Sequence, residues 1–238
     1  MLLYYVRHGD PIYDPDSLTP LGKRQAEAVA KRLAVYGLDE IYVSSSNRAK
    51  ETAQPTCEIL KIEPIELDWA NESYAWRDFA VETGNNSRYW SFHTPSFIKI
   101  FNSEEVRRLG DKWYEYPEFK NTNFKNGILR IQNESNKFFE KLGYKHDRKQ
   151  HIYISERPND KRIALFAHQG FGLLFLSQLL DEFMPQFTTH FDICHSSVTV
   201  IEFKDMGGIT VPKVLMLGND SHIYAEGLPT KYNNEIYI

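Results

Sequence analysis

Leu2-Leu3-Tyr4-Tyr5-Val6-Arg7-His8-Gly9 sets five apolar residues against a cation, an imidazole and a glycine. A short unbroken apolar run of this kind has the form of a strand buried on both faces. Downstream, Leu18-Thr19-Pro20-Leu21-Gly22 marks a helix start: Thr19 can cap it and Pro20 suits its first turn. Ala26, Val29, Ala30 and Leu33 then fall on one face of a helix running to about Val35. A second strand is expected at Glu40–Val43, a helix capped by Asn47 and reaching about Leu60, and a third strand within 61–67. Arg162–Ala167 is another apolar strand, followed by a helix after Gly170 that is apolar all round and so belongs in a core. Ser196–Phe203 and Val211–Leu217 are late strands with Gly207-Gly208 between them. This alternation predicts an α/β three-layer sandwich, a mostly parallel sheet with helices on both faces.

The 238 residues, 42% hydrophobic and 25% charged, suit a single domain at 1–238 rather than a disordered or disulfide-stapled chain. A net charge of −4 offers no general attraction to nucleic acid or an anionic membrane. Cys57 and Cys194 are the sole cysteines, as a reducing compartment allows. The opening apolar run is too short for a signal peptide, and the helix expected at 171–180 is too short to span a bilayer. A soluble, cytoplasmic protein is the expectation.

Between 74 and about 160 the alternation fails. Residues 74–124 hold 13 of the chain's 33 aromatics, about twice the density elsewhere, and all four tryptophans lie between 69 and 113. Seven basic and seven acidic residues in the same window exclude a basic surface. The stretch is expected to be a mainly helical, aromatic-rich insertion with a small core of its own, acting as a cap or lid.

Three segments put polar chemistry at the carboxyl ends of expected strands, where open parallel sheets bind ligands. These are Arg7-His8-Gly9, Ser44-Ser45-Ser46-Asn47-Arg48 and His168-Gln169-Gly170. Two arginines and two histidines brought together there make an anion pocket. Guanidinium forks match phosphate oxygens and stay charged, and helix starts add backbone N–H groups.

These residues resemble the histidine phosphatase superfamily, in its phosphoglycerate mutase-like branch. Arg7-His8-Gly9, Leu18-Thr19-Pro20-Leu21-Gly22, Arg48-Ala49-Lys50-Glu51-Thr52-Ala53 and Ala167-His168-Gln169-Gly170 are similar to its landmarks, in order. Ser196–Val200 is similar to a late strand of the family. The resemblance covers about residues 1–72 and 162–222 and leaves the insertion unaligned. It implies His8 as a nucleophile that becomes phosphohistidine, with Arg7, Arg48 and His168 binding the phosphoryl oxygens. It also implies a carboxylic acid, and Glu72 stands in the matching stretch, with Asp68, Asp78 and Glu82 as competitors. Trp69 and Trp76 beside Glu72 would favour its protonated form by desolvation. Gln169 stands where another branch has the acid.

Two positions depart from the family's pattern. Asp14 stands where many relatives have a phosphate-binding Asn, and is expected to be a solvated loop residue. Ser45 replaces a usual Pro and is expected to cap the following helix. His195 and His222 receive no role and are expected at the surface or behind the site. The implied activity is metal-independent phosphomonoester hydrolysis, without a cofactor, on a small-molecule phosphate ester with an apolar or aromatic body. A phosphoglycerate mutase-type transfer and a non-catalytic phospho-ligand binder are the alternatives. A metal site on His8 and His168 is disfavoured, because no third ligand stands at metal spacing along the chain and arginines repel cations.

Overall fold

The computed structural model describes residues 1–84, 87–230 and 232; Asn85 and Asn86, within the expected insertion, lie outside them. Its centre is a six-stranded sheet of β1 (Leu2–Arg7), β2 (Glu40–Ser44), β3 (Ile65–Leu67), β4 (Arg162–Ala167), β5 (Val198–Glu202) and β6 (Lys213–Asn219). The spatial order is β6-β5-β1-β4-β2-β3. β1, β4, β2 and β3 run parallel, and only β5 is reversed, since it pairs antiparallel with both β1 and β6. In the register, Val6 faces Phe166 and Phe166 faces Val43, so β1, β4 and β2 end side by side. Three neighbouring strands therefore deliver their following residues to one place.

Alternation along each strand divides the core. Leu3, Tyr5, Ile163 and Leu165 point to one face, and Val6, Ile41, Val43, Ala164 and Phe166 to the other. The second face is covered by helices α1 (Pro20–Ala34) and α2 (Asn47–Leu60), through Val29, Leu33, Ala49 and Ala53. Thr19 Oγ1 accepts the Gly22 N–H and starts α1. For α2 the cap differs from expectation. Ser46, with extended backbone, occupies the N-cap and Asn47 is already helical, while Ser45 turns elsewhere.

The first face carries α3 (Glu72–Phe79), α4 (Phe124–Lys141) and α5 (Gln169–Leu179), with α4 packed on both others. Every residue of α5 is buried, as its all-round apolar sequence requires. Between α3 and α4 come a hairpin of Ala80–Glu82 with Arg88–Trp90, two short helices (Pro95–Phe101, Glu104–Arg108) and 3₁₀ turns. A further hairpin, Tyr144–Asp147 with Ile152–Ser155, pairs with Ile209–Thr210.

The expected separate core is not found. Phe79, Phe92, Phe101, Trp113, Phe119 and Phe124 belong to one continuous apolar cluster with Leu3, Tyr5 and Leu165 of the sheet. Edge-to-face and offset pairs such as Phe101–Trp113, at 5.8 Å, fill that layer. Among the described residues, no helix is long and apolar enough to cross a membrane.

Candidate active site

His8 leaves the end of β1 and is fixed on three sides by backbone. Its N–H donates to Ala167 O (2.9 Å), its carbonyl accepts the Ser196 N–H (3.0 Å), and the next N–H, of Gly9, donates to Thr52 Oγ1 (3.0 Å). Thr52 Oγ1 itself donates to Arg48 O, which ties α2 to the same turn. Gly9 and Gly22 touch backbone to backbone: a Cβ on Gly9 would lie 2.6 Å from Gly22 O, and one on Gly22 2.2 Å from Asp10 O. Both glycines of the sequence pattern are thus required by a close approach of strand end and helix start.

The ring of His8 is buried, and its Nδ1 lies 2.7 Å from Gly9 O. A carbonyl only accepts, so Nδ1 carries the proton and Nε2 holds the lone pair of the neutral ring. Burial first, and then the charges of Arg7 and Arg48, hold the His8 pKa well below the ordinary histidine value. A neutral imidazole with an in-plane lone pair is a nucleophile at neutral pH.

Arg7 is almost fully buried, donating from Nη1 to Ile193 O (2.6 Å) and from Nη2 to His195 Nε2 (2.7 Å). Arg48 donates from Nη1 to Asp16 Oδ1 (2.7 Å), and Asp16 Oδ2 accepts the Asn47 N–H (2.7 Å). His168 follows β4 at the N-cap of α5, with its backbone clasped by Tyr5: the phenol donates to His168 O (2.6 Å) and accepts its N–H (3.2 Å). His168 Nε2 meets the hydroxyls of Ser44 (2.8 Å) and Ser46 (3.2 Å). Burial, then His8, Arg48 and Arg7, keep its pKa well below the ordinary value, so this ring also stays neutral. The His8 and His168 ring centres stand 5.2 Å apart.

Glu72, the first residue of α3, brings its carboxyl to this pair. Oε2 lies 3.2 Å from His168 Nδ1, and Oε1 accepts the Phe171 N–H (3.0 Å) at the start of α5. Gly170 makes this possible, because a Cβ there would sit 2.6 Å from Glu72 Oε1 and 2.3 Å from the Trp90 ring. A cavity of about 760 Å³ is lined by Arg7, His8, Arg48 and Glu72 among others, while His168 is fully buried behind it.

The competing carboxyls lie elsewhere. Asp68 is exposed; hydrogen bonds from Ser45 and Tyr74 hold its carboxyl below the usual range. Asp78 is buried in ion pairs with Arg77 and Arg130, and Glu82 is exposed on a hairpin. Ser45 does not cap α2: its hydroxyl donates to Asp68 and accepts from Asn71 Nδ2 (2.8 Å), joining the arginine turn to the loop that carries Glu72. Of the two tryptophans expected beside Glu72, Trp76 lines the cavity, whereas Trp69 turns into the core against Phe171 and Phe175.

Asp14 is exposed, as expected, but Asp16, two residues on, is the carboxylate that meets Arg48. Neither His195 nor His222 is at the surface. His195 accepts from Arg7, with Nδ1 3.7 Å from Asp10 Oδ1, and its ring lies 5.7 Å from that of His8. Arg7 must donate, so His195 Nε2 presents its lone pair there. His222 is buried beside Arg32, with Nε2 3.0 Å from Ser196 O. No spacing along the chain joins Arg7 to His195; its place directly before the strand expected at Ser196–Phe203 is the signal the sequence offers.

His8, Glu72 and His168 each bring a potential ligand atom within 4.8 Å of the others, so the third metal ligand not visible along the chain exists in space. The charges of Arg7 and Arg48, which already oppose protonation of His8, oppose a dication at the same point. The two guanidiniums suit an anion, and the neutral imidazole and the carboxyl beside them suit reaction with it.

Residues 3–77 match the model of the histidine phosphatase superfamily (branch 1). No curated protein matches the chain significantly. Among solved structures, the chain resembles phosphoserine phosphatase from Entamoeba histolytica in complex with 3-phosphoglyceric acid. That match has 17% identity and a TM-score of 0.59, over 93% of this chain and 98% of the other. Alpha-ribazole phosphatase from Shigella flexneri matches at 17% identity and TM-score 0.55, over 92% and 97% of the two chains. A mycobacterial glucosyl-3-phosphoglycerate phosphatase matches at 15% and 0.51, over 91% and 98%. At such identities the likeness establishes a shared fold.

Proposed function

We propose, from a chain whose residues 3–77 place it in the histidine phosphatase superfamily (branch 1), that the protein is a metal-independent phosphoric monoester hydrolase acting through a phosphohistidine. The observation that carries this is the orientation of His8: Nδ1 is committed to Gly9 O, which leaves Nε2 as a neutral nucleophile beside two guanidiniums. In the first step Nε2 forms a bond to phosphorus and the P–O ester bond breaks. The equatorial oxygens lean on Arg7, Arg48 and His168, and fixed donors of this kind stabilise phosphoryl transfer without reorganising. The leaving oxygen takes a proton from Glu72. Water then attacks the phosphohistidine, returns a proton to the Glu72 carboxylate and releases inorganic phosphate, leaving His8 neutral again.

The similar structures are named as phosphatases of phosphoserine, of alpha-ribazole phosphate and of a glucosyl phosphoglycerate, which supports a small-molecule monoester as substrate. A mutase must also hold a second phosphoryl group, and among the described residues Arg7 and Arg48 are the only Lys or Arg lining the cavity.

The test is a quench experiment with a ³²P-labelled monoester in EDTA. Acid-labile label on His8 and continued turnover are expected, and His8→Ala should lose both. Turnover surviving in His8→Ala would overturn the mechanism, and binding without label or turnover would leave a phospho-ligand binder.

A further inference from the structure

The cavity sets aromatic rings directly beside its charged groups: Trp90 shares the Gly170 contact with Glu72, and Tyr13 lies by Arg48. Among the described residues its cationic side chains are Arg7 and Arg48, and Arg48 already carries the Asp16 carboxylate at 2.7 Å. Tyr13, Trp76 and Trp90 also line the cavity, while Asn71 and Ser73 supply neutral polar groups. Trp76 and Trp90 meet edge to face, centroids 5.0 Å apart and planes at 89°. Trp90 lies flat on the buried ring of Phe92 at 5.0 Å and abuts the start of α5 at Gly170, so its plane is fixed. Tyr13 is exposed, with the Arg48 guanidinium 5.4 Å from its ring centre. The remaining aromatics of 74–124 largely finish the core, so the cavity owes its aromatic lining to these three rings rather than to the whole insertion.

This arrangement makes two demands on whatever is esterified to the phosphoryl group. Among the described residues lining the cavity, a second anion would face Asp16 and three rings and no cation besides Arg7 and Arg48, so carboxylate or bisphosphate ligands are disfavoured. A flat ring could lie against tryptophan faces already held in place, without the ordering cost of mobile side chains. Resting on the phosphatase reading above, we propose that the substrate is a monophosphate ester of an alcohol that carries an aromatic or heteroaromatic ring and no second anion. Tyr13, Trp76 and Trp90 select it.

Binding to the full chain separates shape from reactivity when the probes are non-hydrolysable. 2-Phenylethylphosphonate, 2-cyclohexylethylphosphonate and 3-phosphonopropionate share the anionic head and differ in ring planarity or in a second charge. By calorimetry the phenyl compound should bind about three- to tenfold more tightly than the cyclohexyl one, the range that ring stacking gives. The carboxylate should bind weakest of the three. Trp76→Leu and the exposed Tyr13→Ala should each shrink the phenyl-to-cyclohexyl ratio, and the second removes no buried group. Equal phenyl and cyclohexyl affinities, a carboxylate that binds tightest, or no binding at all would overturn the assignment.

The corresponding phosphate esters are assayed in parallel. Turnover with no preference for the ring would sink the ligand class and leave the phosphatase reading standing. Ring-selective binding without turnover would do the reverse.

Discussion

His8 and His168 are the same residue type in one buried pocket, yet their nitrogens face different partners. His8 turns Nδ1 to a carbonyl and frees Nε2, whereas His168 turns Nε2 to two hydroxyls and Nδ1 to Glu72. Only the first has an uncommitted lone pair beside both arginines, which is why it is the proposed nucleophile. Glu72 is the residue whose role shows most directly in leaving-group dependence. Glu72→Gln keeps the shape but cannot supply a proton, so alkyl phosphates should slow by about 10²- to 10⁴-fold. p-Nitrophenyl phosphate, whose leaving group needs little protonation, should slow far less. Equal losses on both esters, measured as kcat/KM, would move the acid elsewhere.

At the scale of elements, the start of α5 is where three requirements meet. Its N-cap is His168, its second residue is Gly170, and the N–H of Phe171 binds Glu72. The β1 end is built alike, with Gly9 against Gly22 in place of Gly170 against Trp90. Gly170→Ala should push both Trp90 and Glu72 from their places. The expected cost is about 1–3 kcal/mol by urea denaturation, as for other overpacked sites, together with a fall in kcat. A variant of wild-type stability and rate would mean that the ring and the carboxyl give way freely. The turn from β2 into α2 shows the limit of local reading. Thr19 caps α1 as its sequence proposes, but the cap that local preference offers to Ser45 or Asn47 belongs to Ser46. The serine instead closes on Asp68 and Asn71, contacts that no cap preference encodes.

Over the whole molecule, burying histidines as neutral rings couples folding to pH. His8 and His168 are held well below the ordinary value and His222 is drawn down to about 4, each by burial first, with Arg32 next for His222. The unfolded chain therefore binds more protons than the native one below about pH 6.5. Unfolding free energy should be level above about pH 7 and fall as the pH drops from about 6.5 toward 4, by up to about 1.4 kcal/mol per pH unit for each such histidine. The acid limb of kcat/KM should likewise lie below pH 6.5. Urea titrations that stay flat between pH 7 and 5 would contradict this. The same scale divides what the chain states locally from what it does not. Arg7, His8, Arg48 and His168 were legible because each directly follows an apolar strand or opens a helix, and the order of a few neighbouring residues reports strand ends and helix starts. The three-layer sheet was legible for the same reason. That Glu72 meets His168, that Asp16 rather than Asp14 meets Arg48, and that His195 receives Arg7 depend on pairs up to 188 residues apart. So does the division of the aromatics between core and cavity. Hydrophobic period records which face of an element is buried but not which element will cover it, and that choice was made only when the layers packed.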